Sequence, residues 1–323
     1  MCATLHEYRS VRLTEWRNMR ALVTGGLGFI GSHLVNELLA EGWDVVIFDR
    51  ARSPFYSAPE GVQFVEAELD NRGALGQALD GVDVVFHLAW TGESLASSQD
   101  MRTHVELNFL PALRLFELCE DAGVKRIVFF SSGGTVYGKA AWLPIPENHP
   151  RNPISPYGLT KSTVEGFLEL HGDLFDIDYM IVRPSVPYGE RQNPVGVQGA
   201  VAVFMGHAFR NEPIVIWGDG SVVRDYFYVG DLARACLLAA VADKGRQAFN
   251  FGGGVGISMN QLVEKIRGVT GRDIEVVFQD SRSFDVPELV LDISKANAEL
   301  GWRPEVSLED GLDRTWNWIQ TLR

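Results

Sequence analysis

Residues 20 to 31 read RALVTGGLGFIG, a short apolar run that ends in a glycine-rich turn. Apolar side chains then recur at the spacing of one helical face, and Gly42 supplies a stop. These side chains are Ile30, Leu34, Val35, Leu38 and Leu39. Residues 45–48 form a second apolar run, and Asp49 follows it directly. The stretch predicts a strand, a tight turn, a helix and a second strand that ends at an acid.

The glycines of this turn have separate physical roles. One permits the tight turn, one lets backbone approach a pyrophosphate, and one allows the helix to pack closely on the strand. The N–H groups and the dipole at the start of the helix favour a bound phosphate. Because a strand, a helix and a distal acid surround the motif, it indicates a dinucleotide site rather than a merely structural turn.

Asp49 predicts which dinucleotide is bound. A carboxylate at the end of the second strand accepts hydrogen bonds from the adenine ribose and repels a 2′-phosphate, which selects NAD. Arg50 and Arg52 keep NADP as an alternative, since either could pair with that phosphate. The predicted cofactor contacts of this half of the chain are Gly25, Gly28, Phe29, Ile30, Gly31, Asp49, Arg50, Glu68, Leu69, Leu88 and Ala89.

Composition narrows the class of protein. The chain has 323 residues, 46% of them hydrophobic and 22% charged, which is ordinary for a globular protein with a large core. A net charge of -13 argues against nucleic acid or an anionic membrane as a partner. Three cysteines without metal-like spacing predict neither a disulfide framework nor a metal site, and they favour a reducing cytoplasm.

The chain shows no segment of the length that crosses a membrane, which is about 18 apolar residues. Residues 1–18 are rich in charge and lack the apolar middle of a signal peptide. We expect them to be a poorly ordered extension ahead of Met19.

Strand-like and helix-like stretches alternate after the opening unit, which predicts a Rossmann-type, doubly wound parallel α/β sheet. The predicted strands are 62–65, 82–89, 127–130 and 179–182, and the predicted helices are 73–80, 100–121 and 157–174. The helix over 100–121 is expected to keep five leucines largely inside, namely Leu107, Leu110, Leu113, Leu115 and Leu118.

Glycine and proline become frequent beyond residue 184, and the elements become shorter. We therefore expect an NAD-binding domain from residues 19–184 plus about 225–250. A smaller mixed α/β substrate lobe would come from about 185–224 plus 251–323. The ligand crevice is expected between the two, at the C-terminal ends of the strands.

Ser155 and Pro156 predict the start of a helix that carries Tyr157 and Lys161. Residues four apart share one helical face. An ammonium beside a tyrosine favours its phenolate, so the pair could remove a proton from a hydroxyl while a hydride leaves the same carbon. The motif is common by chance on surface helices, and it gains weight here from the dinucleotide site that precedes it.

At this point the chain resembles the extended short-chain dehydrogenase/reductase family, most closely its nucleotide-sugar epimerases of the UDP-glucose 4-epimerase type. The matching stretches are 24–32, 87–89, 131–138, 157–161, 224–226 and 300–302. The resemblance implies NAD bound as a prosthetic group, with contacts from Tyr157 and Lys161 as well. It also implies a homodimer built from the helices near 102–121 and 157–174.

The resemblance also exposes a departure beside the reacting carbon. The family has a Ser or Thr at the position of Gly133, so Thr135 or Ser132 is expected to orient the sugar hydroxyl. Dehydratases of the family carry Asp-Glu where this chain has Gly134-Thr135. Elimination needs a titratable acid within reach, so epimerisation is favoured over dehydration.

Three residues match the family's nucleotide end. Arg224 resembles the arginine that pairs with the substrate diphosphate, and Arg282 and Asp285 resemble residues that hold the phosphates and the ribose. For each, a surface ion pair is the alternative. The chain departs from the family at Val186, where asparagine is usual, and at Trp90, where a small residue is usual.

Taken together, the sequence predicts an NAD-dependent nucleotide-sugar 4-epimerase in which Tyr157 is the base, Lys161 lowers its pKa, and a 4-keto sugar forms transiently. Two alternatives stay open. One is a net oxidoreductase or dehydratase of the same family, and the other is a non-catalytic NAD-binding sensor. Leu289, near a position that limits the bulk beside the hexose, leaves the sugar undecided, and His87 is expected to be a packing residue.

Overall fold

We analysed a computed structural model of the chain, which describes residues 18–91, 101–281 and 286–322. The predicted N-terminal extension, apart from Asn18, lies outside the described residues. The same holds for Arg282 and Asp285.

A parallel sheet of seven strands, drawn from residues 20–251, confirms the predicted doubly wound fold. Its strands are β1 (Arg20–Thr24), β2 (Asp44–Asp49), β3 (Gln63–Glu66), β4 (Val84–His87), β5 (Arg126–Phe130), β6 (Asp178–Pro184) and β10 (Gln247–Phe251). The strand order is β10-β6-β5-β4-β1-β2-β3, and the chain reverses direction across the sheet between β1 and β4. That switch point is where open α/β sheets bind ligands.

Helices cover both faces of this sheet, because the strands are apolar on both sides. One face is covered by α1 (Phe29–Ala40) and α7 (Val229–Ala240), which share a core with β1, β2 and β6. The other face is covered by α2 (Arg72–Ala78), α4 (Leu110–Ala122) and α5 (Pro156–Phe175). Trp302 and Ala296 also pack into the first of these cores.

The remaining elements form smaller sheets with helices. The strands are β7 (Val186–Tyr188), β8 (Ile214–Trp217), β9 (Val223–Tyr228), β11 (Gly256–Ser258), β12 (Val276–Gln279) and β13 (Glu288–Leu289). The helices are α6 (Ala200–Arg210), α8 (Met259–Thr270), α9 (Ser294–Leu300) and α10 (Leu308–Ile319). In this region β9 is central, pairing with β7, β11 and β13. Residues 225–228 thus belong to this second sheet, and α9 packs against β10.

The predicted helix over 100–121 is interrupted. It consists of α3 (Met101–His104), a π-helical segment (Val105–Phe109) and α4. The prediction that all five leucines lie largely inside was wrong for two of them: Leu107 and Leu110 are each 48% exposed. A π-helical turn takes up more residues than an α-turn, so it shifts which side chains face the sheet. Leu115 and Leu118 are buried as expected.

Two predicted helix starts have the expected caps. Ser155 accepts a hydrogen bond from the N–H of Gly158, and Pro156 is the first residue of α5. Ser258 and Gln261 form a reciprocal capping box at α8. In the part of the chain that the structure describes, no helix has the length and apolar character needed to span a membrane.

Candidate active site

A cleft of about 1070 Å³ lies at the C-terminal ends of the parallel strands, facing the second sheet. Residues that follow β1, β4, β5 and β6 line one wall, and side chains of β7, β8 and β9 line the other. The first wall includes Gly25, Leu88, Ser132 and Pro184, and the second includes Arg224. The cleft therefore lies at the C-terminal ends of the strands, where the ligand crevice was expected.

The glycine-rich turn is packed too tightly for any side chain. Gly25 has φ +73°, and a Cβ on it would lie 2.9 Å from the backbone nitrogen of Ala89. A Cβ on Gly31 would lie 2.1 Å from the carbonyl oxygen of Gly25. Helix α1 begins after Gly28 without a side-chain cap. The turn thus brings bare backbone and a helix N-terminus to the cleft, which fits a dinucleotide pyrophosphate.

Asp49 is held beside this turn. Its carboxylate accepts hydrogen bonds from the N–H of Leu27 at 3.0 Å and of Arg50 at 2.8 Å. Burial raises the pKa of Asp49, and the two N–H donors oppose that rise. The carboxylate therefore lies beside the glycine-rich turn, and its recognition of a ribose stays a prediction.

The other predicted contacts of the adenine end are spread along the same edge. Arg50 is exposed and reaches Thr91 Oγ1 at 3.4 Å. The alternative phosphate partner, Arg52, lies 3.6 Å from Glu66. Glu68 and Leu69 follow β3, the strand beside β2, with Glu68 exposed and Leu69 packed against the core. Phe29, Ile30 and Leu88 line the cleft itself.

Tyr157 and Lys161 lie one turn apart at the start of α5, and both line the cleft. The ammonium of Lys161 donates to the carbonyl of Phe130 at 2.5 Å, at the end of β5. Its Nζ is 5.8 Å from the centroid of the Tyr157 ring. Helix and sheet thus present both groups beside the C-terminal end of the central strands.

The expected lowering of the tyrosine pKa is absent from this geometry. Burial raises the pKa of Tyr157 to about 12. Burial also lowers the pKa of Lys161 well below its usual value, while Glu165 partly opposes that change. The reason is that each group is withdrawn from water and the two do not share a hydrogen bond in the structure. A phenolate at Tyr157 therefore needs a positive charge close by.

Hydroxyls gather next to this pair. Ser131, Ser132 and Thr135 follow β5 and line the cleft. Among the described residues, Ser131 Oγ and Thr135 Oγ1 are buried with no hydrogen-bond partner. Buried hydroxyls without a partner inside a cleft are suited to hold a ligand.

Gly133 does not face the cleft. A Cβ at this position would lie 2.5 Å from Leu291 Cδ1 and 2.9 Å from the carbonyl oxygen of Arg183. The family serine or threonine therefore has no space here. Gly134 is different, because the nearest atom to its Cβ would be Ser132 Oγ at 3.7 Å. Ser132 and Thr135, unlike Gly133, line the cleft.

Arg224 lies on β9 at the far end of the cleft. Its Nη1 donates to the carbonyls of Val223 at 2.8 Å and Val286 at 2.7 Å. Val186 on β7 and Leu289 on β13 belong to two strands that pair with β9, and both also line the cleft. This end thus combines a guanidinium with apolar walls.

Asp225 is a residue whose role the sequence did not indicate. It is fully buried, and its carboxylate accepts from the N–H of Gly253 at 2.6 Å and of Leu291 at 3.2 Å. Burial raises its pKa to about 7. It therefore ties β9 to the segments after β10 and β13. The sequence signal that could have pointed to Asp225 was its position directly after Arg224.

His87 is the packing residue that the sequence indicated. It is 1% exposed, and its Nδ1 lies 2.9 Å from Thr24 Oγ1. Burial and the nearby Lys161 lower its pKa to about 3, so the ring is neutral near pH 7. Among the described residues no cluster of His, Cys, Asp and Glu is arranged to hold a metal ion.

Comparison with known proteins agrees with this geometry. Residues 21–252 match the NAD dependent epimerase/dehydratase family. The chain belongs to this family. A UDP-glucose 4-epimerase of Mycolicibacterium smegmatis is 37% identical over 304 residues, which cover 92% of this chain and 97% of that one. A putative UDP-glucose 4-epimerase of Methanocaldococcus jannaschii is 37% identical over 302 residues, which cover 93% of this chain and 98% of that one.

Solved structures of family members have the same fold. The UDP-glucose 4-epimerase of Thermotoga maritima with UDP-glucose gives a TM-score of 0.89 at 37% identity, covering 94% of this chain and 99% of that one. The Thermus thermophilus UDP-glucose 4-epimerase in complex with NAD gives a TM-score of 0.87 at 33% identity, covering 94% of this chain and 99% of that one. The family and the Rossmann-type α/β fold predicted from the sequence are confirmed. The protein is an enzyme of the epimerase class, and NAD is its cofactor.

Proposed function

We propose that this enzyme interconverts the 4-epimers of a UDP-hexose. The observation that carries the proposal is the composition of the cleft around Tyr157 and Lys161. Three hydroxyl residues lie beside that pair, and the described lining contains no Asp or Glu. A hydroxyl can be deprotonated there, while the acid and base that elimination requires are missing from the described wall.

In the proposed reaction Tyr157 removes the proton from O4 of the sugar and later returns it. NAD held against the glycine-rich turn and Asp49 would supply a reversible hydride acceptor for C4. Lys161 supplies the positive charge that favours the phenolate. Thr135 and Ser132 hold the reacting hydroxyl against the base, and the sugar must turn within the cleft so that its other face is reduced.

The nucleotide end of the substrate is assigned to Arg224, together with Arg282 and Asp285. A guanidinium forms two parallel hydrogen bonds to a diphosphate, which suits Arg224 at the end of the cleft. Support for a UDP sugar comes from the similar Thermotoga maritima enzyme, whose structure contains UDP-glucose. We propose a substrate lobe of residues about 185–224 and 251–323 and an NAD-binding domain of residues 19–184 and about 225–250, with the boundary near 225 moved to after β9 because residues 225–228 pair within the smaller sheet.

We further propose that two copies of the chain associate through α3, α4 and α5. Apolar side chains are exposed along these helices and the π-helical segment that joins α3 to α4: Met101, Val105, Leu107, Leu110, Leu159, Phe167, Leu170 and Leu174. Exposed apolar faces of this extent mark interaction surfaces. A symmetric pair would bury them without a second kind of protein.

The proposed location is the cytoplasm. Cys119 and Cys236 are buried and free, as expected for a protein kept under reducing conditions. We propose neither a nucleic acid nor a membrane partner.

The test is to incubate the purified protein, without added cofactor, with UDP-glucose, UDP-N-acetylglucosamine, UDP-glucuronate and their 4-epimers, and to follow products by NMR. The proposal predicts that at least one pair interconverts without net NADH. The matched control is Tyr157→Phe, which should bind NAD but turn over about 100- to 10,000-fold more slowly.

Two results would contradict the proposal. Net NADH formation would assign the enzyme to the oxidoreductases of its family. Unchanged turnover in Tyr157→Phe would remove Tyr157 from the mechanism.

A further inference from the structure

Trp90 is a cleft residue that the proposed mechanism does not use. It lies just beyond the C-terminal end of β4, and its ring contacts both members of the catalytic pair. The ring centroid is 3.6 Å from Lys161 Nζ, and the ring meets Tyr157 edge-on at a centroid distance of 5.7 Å. A side chain placed this way can change the chemistry of the pair.

The surroundings of the Lys161 ammonium are largely aromatic. Its recorded hydrogen bond goes to the carbonyl of Phe130, and the ring of Phe129 lies 5.0 Å from Nζ on another side. An ammonium has three donors, and the negative face of an aromatic ring attracts a cation where water has been excluded. The contact with Trp90 is the shortest of three ring contacts, since the Phe129 and Tyr157 centroids lie 5.0 and 5.8 Å from Nζ, and indole is the strongest of the aromatic partners.

The backbone next to Trp90 is anchored by the π-helical segment. Asn108 is 2% exposed, and its side-chain amide bonds both backbone groups of Thr91. The N–H of Thr91 donates to Oδ1 at 2.7 Å, and Nδ2 donates to the carbonyl of Thr91 at 2.9 Å. In the described structure the buried indole N–H of Trp90 has no acceptor. The ring contacts of Trp90 are with Lys161, Tyr157 and Phe129, whose ring centroid lies 6.5 Å away, so the ring is oriented by packing and not by a hydrogen bond.

Other charged groups around Lys161 contribute less. Glu165, one turn further along α5, is already paired with Arg183 at 2.6 Å and Arg151 at 2.7 Å. His87 is neutral near pH 7, as described above. His104 is buried 6.4 Å from the Tyr157 ring, measured between centroids. Besides the carbonyl of Phe130, which accepts the hydrogen bond at 2.5 Å, the face of Trp90 at 3.6 Å is the nearest contact of Nζ, among the described residues, that favours a positive charge on Lys161.

We propose that Trp90 is a positioning residue that stabilises the ammonium form of Lys161 by a cation–π contact and thereby favours the phenolate of Tyr157. This inference rests on the proposed role of Tyr157 as the base. Its direct prediction concerns Lys161 alone, so it can be tested without any turnover.

The experiment measures the titration of Lys161 by NMR in protein labelled with ¹³C at the lysine ε-carbon. The chain has six lysines, and the Lys161 signal is assigned by its loss in Lys161→Arg. Trp90→Leu keeps an apolar side chain but removes the aromatic face. We expect the pKa of Lys161 to fall by about one unit in this variant and by less in Trp90→Phe.

Two references accompany the measurement. Lys295 lies 4.4 Å from the Phe249 ring and donates to the carbonyl of Ala248, so its signal reports a similar contact away from the cleft. It should titrate identically in all variants. Trp142→Leu, which removes an exposed tryptophan elsewhere, should leave Lys161 unchanged.

An unchanged or raised Lys161 pKa in folded Trp90→Leu overturns the proposal, because Trp90 would then act only by excluding water. If Trp90→Leu does not fold, Trp90→Phe decides between the same outcomes. A second readout is the pH dependence of kcat/KM, whose acid limb should move to higher pH in Trp90→Leu. If the lysine titration shifts but no substrate pair is turned over, the proposed function fails while the cation–π contact stands.

Discussion

The backbone N–H of Leu27 donates to the carboxylate of Asp49 at 3.0 Å, which joins the glycine-rich turn to the end of the second strand. The second carboxylate oxygen accepts from the N–H of Arg50. The carboxylate is thereby fixed at the cofactor edge of the sheet before any ligand arrives. In the proposed role of Asp49 as the acceptor of the ribose hydroxyls, such preorganisation strengthens binding because less freedom is lost when the ligand binds.

Asp49→Asn should weaken NAD binding by about 10- to 100-fold, because a charge-assisted acceptor is replaced by a weaker one. Discrimination against NADP should fall at the same time, since the repulsion of a 2′-phosphate is removed. Calorimetric titration of both cofactors measures the two effects. Asp44→Asn, at the exposed start of the same strand, is the control and should bind like the parent. Equal NAD affinity in both variants would contradict the assigned role.

The hydroxyl of Thr135 should matter for activity and not for stability. Because its Oγ1 has no protein partner in the described structure, Thr135→Val removes no internal hydrogen bond. We expect kcat to fall about 10- to 100-fold, with the free energy of unfolding unchanged within about 0.5 kcal/mol. Ser132→Ala is measured in parallel, and normal activity in both variants would exclude the hydroxyl role.

Gly133 and Gly134 form a matched pair for testing the departure from the family. Gly133→Ser introduces a side chain against Leu291 and the carbonyl of Arg183, so it should destabilise the protein by about 1–3 kcal/mol. Gly134→Ser meets only ordinary contacts and should fold normally. Thermal unfolding compares them. A more active and equally stable Gly133→Ser would show that the packing argument is incorrect.

Asp225 predicts a pH dependence of stability. This carboxyl has a higher pKa in the folded protein than in the unfolded protein. Its contribution to stability is therefore fully present below the unfolded pKa of about 4 and is lost as the pH rises. Its folded pKa of about 7 sets the upper end of that window. Between pH 5.5 and 8 the parent should therefore lose roughly 2 kcal/mol relative to Asp225→Asn. Urea unfolding at the two pH values measures the change.

The control for Asp225 is Asp80→Asn, which removes an exposed carboxylate. Its stability difference from the parent should be the same at both pH values. A pH-independent difference for Asp225→Asn as well would mean that the buried carboxylate titrates at its ordinary pKa.

The proposed association through α5 predicts that Leu170→Glu yields a monomer. A charge placed in an apolar interface loses its water without gaining a partner. Light scattering after gel filtration gives the mass. Val255→Glu changes an equally exposed apolar residue outside these helices and should keep the parent's mass. A monomeric parent protein would reject the assembly.

The sequence predicted those parts of the site that are contiguous in the chain. The glycine turn, Asp49 and the pair on α5 follow from local spacing, and Tyr157 and Lys161 meet the turn because parallel strands end at one edge. The occlusion of Gly133 could not be predicted, since Leu291 comes from a distant segment. The same is true of Trp90 over Lys161. Regular helical periodicity also predicted buried positions for Leu107 and Leu110, which are exposed, because the pattern of apolar residues does not reveal a π-helical turn.

The pairing of β10 with β6 has a practical consequence for dissecting the molecule. Strand β10 completes the large sheet, although β7, β8 and β9 of the smaller sheets lie between β6 and β10 in the sequence. Trp302, which lies still further along the chain, packs into the same core. A truncated protein ending at residue 184 would therefore expose the edge of β6 and an unfilled core. We therefore expect residues 19–184 not to fold as a transplantable module, so that the strands before and after residue 184 have to be expressed and engineered together.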